Sequence, residues 1–347
     1  MIWLILPGTL LLFLLIGLLT GVLLSAPKYK GPVSDHFDGK KFLNPNGQQA
    51  KGITEVFKWM RQRKREPWSK QSLQPSPWPT PVQPDGIRIS FVNHSTFLIQ
   101  IGEYNILTDP VWSKRVSPFS WAGPKRMSAP GMSMDELPAI HAILLSHNHY
   151  DHLDVKTLKR LHTLFDPLIF TPLGVGQYIH KLGLNASADL DWWDEIDLFP
   201  GLKLQALPAS HFSSRGILDR DATLWCGYMI ESDLGNVYFA GDTGYGEFFH
   251  DIAAKTRHMD IALLPIGAYM PEWFMSPIHT SPKEAVAIHQ ILKPDISIAS
   301  HFGTFPLADD GRETPVNALK LAMDEAAIEK DRFITLKHGA HYLLKKA

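Results

Sequence analysis

The chain has 347 residues, 45% of them apolar and 20% charged, a globular composition that leaves no room for a disordered protein. Its 34 basic and 35 acidic residues leave a formal charge of -1, so it lacks the basic excess that nucleic-acid binding demands. Cys226 is the single cysteine, which excludes an internal disulfide and a thiolate metal cluster. Any metal site must be built from His, Asp and Glu.

In chain order, residues 2–24 come first and carry no charge. As a helix they span roughly 34 Å against a hydrocarbon core of roughly 30 Å. They predict a transmembrane anchor over 1–25, and thus a single-pass membrane protein. Lys28, Lys30, Lys40 and Lys41 follow, which places the catalytic part on the cytoplasmic side. Residues 26–84 then form an N-terminal region. Its first half is mixed and aperiodic. Ile53, Val56, Phe57 and Met60 predict a short helix with a basic end, either a plain surface helix or one lying near anionic headgroups. "PSPWPTPVQP" (75–84) reads as an extended arm, with a boundary near residue 84.

From residue 85 to 347 short β-rich runs alternate with helical stretches at 153–165, 174–183, 281–292 and 315–328. Runs such as "AILL" and "IALLPI" are apolar throughout, as strands covered on both faces are. The pattern predicts two sheets sandwiched by helices. Several strands end in His or Asp, where the loops of such sheets build sites.

The densest such ending is "LLSHNHYDHLD" (144–154). Residues two apart in an extended stretch point the same way, so His147 and His149 face one ion. Asp151 and His152 fall where the chain turns into a helix and face a second. Neutral imidazole and carboxylate suit zinc. Further ligands must come from other strand ends: His211 after "LQALPAS", Asp242 in "AGDTGYG" and His301 after "SIAS". Asp242 has two oxygens and can bridge both ions, with Gly241, Gly244 and Gly246 permitting tight turns around it. His94 is a candidate partner for a ligating imidazole, or a structural residue of the first hairpin. Asp109 in "LTDP" is expected to cap a turn near the site. His338 and His341 are read as structural.

These residues resemble the metallo-β-lactamase fold superfamily, through the HxHxDH motif at His147, His149, Asp151 and His152 with His211, Asp242 and His301 downstream. A closer resemblance is to the N-acyl-phosphatidylethanolamine-hydrolysing phospholipase D family. It is carried by "LTDPVWSKRVSPFSWAGPKR", "LLSHNHYDHLD", "LDWWDE", "FAGDTGYG", "LPIGAYMPEWFM", "SPKEAVAIH", "HFGTFPLA" and "LKHG". The resemblance implies an α/β fold, the αββα sandwich, with two Zn²⁺ per chain at its edge; another divalent metal would fit the same donors. It implies one ion on His147, His149 and His211, the other on Asp151, His152 and His301, and Asp242 shared. It places His279, in "SPIHTSPKEA", over the metals and against the phosphate. Ile278 departs from the family, which can carry a polar side chain there, and the N-terminal anchor is no part of the family pattern.

The activity so implied is phosphodiester hydrolysis by a dizinc-bridged hydroxide, releasing an N-acylethanolamine and phosphatidic acid, with Asp151 and His279 as catalytic residues. The partners expected are a phospholipid substrate, a membrane through the N-terminal helix and a second copy of the chain in a homodimer, without nucleic acid. A metal-dependent lactonase or other non-lipid hydrolase would use the same ligands. A nuclease would want a basic groove and an inserted domain, a β-lactam hydrolase often a cysteine ligand, and an iron oxidoreductase a carboxylate in place of a motif histidine. A membrane-tethered binding protein would show degenerate ligands.

Overall fold

The structure is a computed structural model that describes residues 15, 17–45, 47–69 and 86–345. Two seven-stranded sheets lie face to face, ordered β14-β1-β2-β3-β4-β5-β6 and β13-β12-β11-β10-β9-β8-β7. In the first, β1 (Gly86–Asn93), β2 (Thr96–Ile101) and β3 (Tyr104–Thr108) form an antiparallel meander, closed on one side by β14 (His341–Lys345). On its other side β4 (Ala142–Leu144), β5 (Leu168–Pro172) and β6 (Ala188–Leu190) run parallel. In the second, β7 (Glu195–Phe199), β8 (Leu202–Leu207), β9 (Gly227–Ser232) and β10 (Val237–Phe239) are antiparallel, while β11 (Ile261–Pro265), β12 (Ile296–Ser300) and β13 (Phe333–Ile334) continue parallel to β10.

Alternation along the strands sorts the core into layers. Ile87, Ile89 and Phe91 of β1 face inward, onto Leu204, Tyr228, Phe239 and Leu263 of the opposite sheet. The outer face of the first sheet is covered by α2 (Val155–Phe165) and α3 (Val175–Lys181). That of the second is covered by α4 (Phe248–Lys255), α6 (Pro282–Leu292) and α7 (Thr314–Glu325). The result is the expected αββα sandwich. Helix starts follow the local chemistry: Asp154 caps α2 by accepting Lys156 N–H, and Ser281 with Glu284 forms a capping box at α6, with Pro282 inside the first turn.

The N-terminal region wraps this sandwich. α1 (Ile53–Gln62) places Val56 and Trp59 against Ala268, Phe274 and Met275, the last two in the short helix α5 (Glu272–Met275). Its basic end pairs inward, Arg63 Nε with Asp309 Oδ1 at 2.7 Å.

The expected transmembrane anchor, and with it the single-pass placement on the cytoplasmic side, requires correction. No helix among the described residues is long and apolar enough to cross a membrane. Residues 1–14 and 16 of the expected span, and the arm at 75–84 with its boundary, lie outside the described residues. Residues 17–24 are helical and end against the sandwich. Ile217 N–H donates to Gly21 O (3.2 Å), Leu218 N–H to Ser25 Oγ (3.1 Å) and Ala26 N–H to Asp219 Oδ2 (2.8 Å). An apolar run reports only that it avoids water, not what it packs on, and here its end packs on protein.

Candidate metal centre

Seven strand ends converge on one edge of the sandwich. β1 delivers His94, β3 Asp109, β4 the 147–152 loop, β8 His211, β10 Asp242, β11 Gly267 and β12 His301. Tight packing there demands glycine in two places. A Cβ on Gly241, whose φ is +63°, would stand 2.7 Å from Ser146 Cβ, and one on Gly267 would stand 2.1 Å from His301 O. His94 (50°), Asp109 (34°) and His301 (58°) take positive φ, a region that Asp and His enter more readily than most residues with a Cβ.

His147, His149 and His211 form one nest, with His147 Nε2 2.9 Å from His149 Nδ1 and His211 Nε2 3.2 Å from that same atom. Asp151, His152 and His301 form another. His152 Nε2 lies 3.4 Å and His301 Nε2 3.5 Å from Asp151 Oδ2. Asp242 stands between them: its Oδ2 is 3.0 Å from His301 Nε2, 3.2 Å from His152 Nε2, and 3.8 Å from both His211 Nε2 and His279 Nδ1. All eight residues expected at the site are thus brought together, across 155 positions of sequence from His147 to His301.

The rings of His147, His152 and His211 are each turned by a second partner, which leaves their Nε2 atoms for the cluster. Ser146 Oγ meets His147 Nδ1 at 2.9 Å, Asp109 Oδ2 meets His152 Nδ1 at 2.6 Å, and His211 Nδ1 donates to Ile278 O at 2.7 Å. The Nε2 atoms are left facing inward. Asp109 therefore does more than cap a turn: it also accepts from Ser146 N–H and Oγ, at 2.7 and 2.6 Å. Ile278 acts through its carbonyl, a role indifferent to whether its side chain is polar. His94 holds Asp151, Nε2 to Oδ2 at 3.1 Å, and its C=O accepts His301 N–H at 2.8 Å. Arg215, silent in the sequence reading, fastens the ligand-bearing loop by donating to Asn148 O (2.6 Å) and Leu153 O (3.0 Å).

Burial, reinforced by neighbouring imidazoles, pushes His147 well below its ordinary pKa and His149, His211 and His279 down to about 3. They are neutral at pH 7, the form that ligates. Burial also opposes charge on His152 and His301, yet Asp242 and Asp151 overcome it; His152 is raised well above its usual value and His301 to about 9. Asp151 and Asp242 are held well below the carboxylate range by these same imidazoles, against the effect of burial.

Among the ligand candidates, His152 Nε2, His301 Nε2 and Asp242 Oδ1 are buried without a hydrogen-bond partner among the described residues. Buried polar atoms are seldom left so, and a cation ligated by them would satisfy all three. The donors are imidazole nitrogen and carboxylate oxygen, which suits zinc and other divalent transition metals. The residues fit a metal.

The sequence profile described as "Beta-lactamase superfamily domain" matches residues 104–302. The chain is 34% identical over 328 residues to N-acyl-phosphatidylethanolamine-hydrolyzing phospholipase D 1 of Caenorhabditis elegans, covering 87% of this chain and 92% of that one. It is 33% identical to the mitochondrial N-acyl-phosphatidylethanolamine-hydrolyzing phospholipase D of Saccharomyces cerevisiae, over 65% of this chain and 49% of that one. Among solved structures, Igni18, a metallo hydrolase of Ignicoccus hospitalis, superposes with a TM-score of 0.58 at 19% identity, over 76% of this chain and all of that one. CmlA, a diiron β-hydroxylase of Streptomyces venezuelae, does so at 0.57 and 18%, over 77% of this chain and 55% of that one. At such identities these two show the fold alone.

Proposed function

This chain belongs to the N-acyl-phosphatidylethanolamine-hydrolysing phospholipase D family of the β-lactamase superfamily and is a metal-dependent hydrolase, and we propose that its substrate is an N-acylated phosphatidylethanolamine. Water adds to phosphorus, the ester bond to the N-acylethanolamine breaks, and phosphatidic acid remains. Two zinc ions would be held, one by His147, His149 and His211, the other by Asp151, His152 and His301, with Asp242 available to both.

The observation that carries this reading is the place of Asp242, one carboxylate oxygen within 3.8 Å of ring nitrogens from both nests. Cations held there would lower the pKa of bound water and neutralise charge developing on phosphoryl oxygens. The chain's own residues do the rest. Neutral His279, 5.0 Å ring to ring from His211 and 5.3 Å from His301, offers its N–H to a phosphoryl oxygen. Asp151 takes the proton of the attacking water, and His94, fixed on Asp151 Oδ2, keeps the carboxylate oriented.

Metal analysis of the purified protein, with hydrolysis of N-acylated phosphatidylethanolamine compared with phosphatidylcholine and a sugar lactone, tests the proposal. Near two equivalents of zinc and preference for the first lipid are expected. Preference for the lactone, or turnover indifferent to chelators, would overturn it.

A further inference from the structure

His211 lies beyond the end of β8, in a stretch that belongs to no strand, so no neighbouring strand pairs its buried N–H and C=O. One side chain from the other end of the sequence takes both. Asn44 Oδ1 accepts His211 N–H at 2.8 Å, and Asn44 Nδ2 donates to His211 O at 2.9 Å, across 167 residues. The second amide hydrogen goes to Gln48 O at 2.7 Å. With carbonyl oxygens on one side and an N–H on the other, the amide has only one satisfied orientation. It imitates, for a single residue, the edge of a paired strand.

The segment bearing Asn44 is itself seated. Phe37 and Phe42 are fully buried against Ala209, Leu224 and Trp225, and Phe42 N–H donates to Asp221 O at 2.8 Å. Asn44 is 4% exposed. From the other side, Ile278 O holds His211 Nδ1 at 2.7 Å. Backbone and ring of His211 are therefore fixed by separate groups, and only Nε2 is presented to the His147–His149 pair.

We propose that Asn44 is a positioning residue of the metal centre: an N-terminal segment, remote in sequence from every ligand, sets the backbone from which His211 reaches the metal. The inference rests on the reading of His211 as a ligand. It assigns a role in the hydrolase to residues 36–45, which composition leaves featureless.

The test uses the full chain with Co²⁺ as probe, in the wild type and in Asn44→Ala, His211→Ala and Ile230→Ala. Ile230 is a core residue distant from the edge and serves as a control for simple loss of stability. Metal affinity by competition with a chelator and the visible Co²⁺ spectrum are measured beside the melting temperature. Asn44→Ala is expected to weaken metal binding about 10- to 100-fold, the effect usual for groups that orient ligands, and to shift the spectrum. Ile230→Ala should lower the melting temperature and leave both metal readouts unchanged. Wild-type affinity and spectrum in Asn44→Ala, or the same changes in Ile230→Ala, would overturn the inference. If His211→Ala also matches the wild type, the ligand assignment itself fails; if only Asn44→Ala matches, the positioning role fails alone. Should Asn44→Ala not fold, Asn44→Asp is read instead. It keeps the acceptor for His211 N–H, loses both donors, and is expected to weaken the metal in the same direction.

Discussion

Asp109 Oδ2 and His152 Nδ1 lie 2.6 Å apart, and both side chains are fully buried. The carboxylate also binds Ser146 through its N–H and hydroxyl, so a single acid fixes the tautomer of one imidazole and the start of the loop that carries four of the ligand candidates. An asparagine could not accept all three hydrogen bonds, because one of its two ends would be a donor facing a donor. Asp109→Asn is expected to fold and to bind metal about 10- to 100-fold more weakly than the wild type. Chelator competition measures it, and unchanged affinity would show the pair to be mere packing.

Asp242 answers to four ring nitrogens at once. Asp242→Asn removes the charge with little change of shape, so the far-ultraviolet circular dichroism should persist while metal content and turnover fall together. Full turnover in this variant would contradict the shared-carboxylate arrangement.

Metal removal should also be legible in stability, because binding to the folded state alone adds RT ln(1 + [L]/Kd). At a free metal concentration of 100 Kd that is about 2.7 kcal/mol. Dialysis against a chelator is expected to lower the melting temperature, and Zn²⁺ to restore both it and activity. A melting temperature insensitive to metal would place the ions elsewhere or nowhere.

His36 is held between two carboxylates, Asp35 at 2.5 Å and Asp191 at 2.7 Å, with its ring stacked on Trp192. Burial lowers its pKa, but hydrogen bonds and charge from Asp191 and Asp35 outweigh that and raise it above 6.5. A base with a raised folded-state pKa contributes stability that is complete below 6.5 and is lost as pH climbs through the higher value. The melting temperature of His36→Gln should therefore lie furthest below the wild type in mildly acidic solution and approach it on the alkaline side. A gap that widens with rising pH would refute the sign.

The site was legible early because its signal is local. The ligand-type residues of "LLSHNHYDHLD" follow closely on β4, and the remaining ligand candidates lie within a few residues after the ends of β8, β10 and β12, where residue type and position announce themselves. Asp109 and His94 were visible as polar residues at strand ends, but what each touches was not, since hydrogen-bond partners across a sheet leave no mark in spacing. Asn44 and Arg215 carried no signal at all. One lies in an aperiodic stretch and the other in a loop, and each matters only because the fold brings it to a particular backbone.

Residue type and periodicity, on their own, determined the layered sandwich, the metal-binding chemistry and the candidates for it, because burial and ligation act on the chemical nature of each side chain. The tertiary structure decided which groups turn those candidates inward and where the apolar N-terminal run ends. Hydrophobicity measures flight from water and is blind to the surface that receives it. A hydrogen bond, by contrast, depends on positions within a few tenths of an ångström that only the assembled chain supplies.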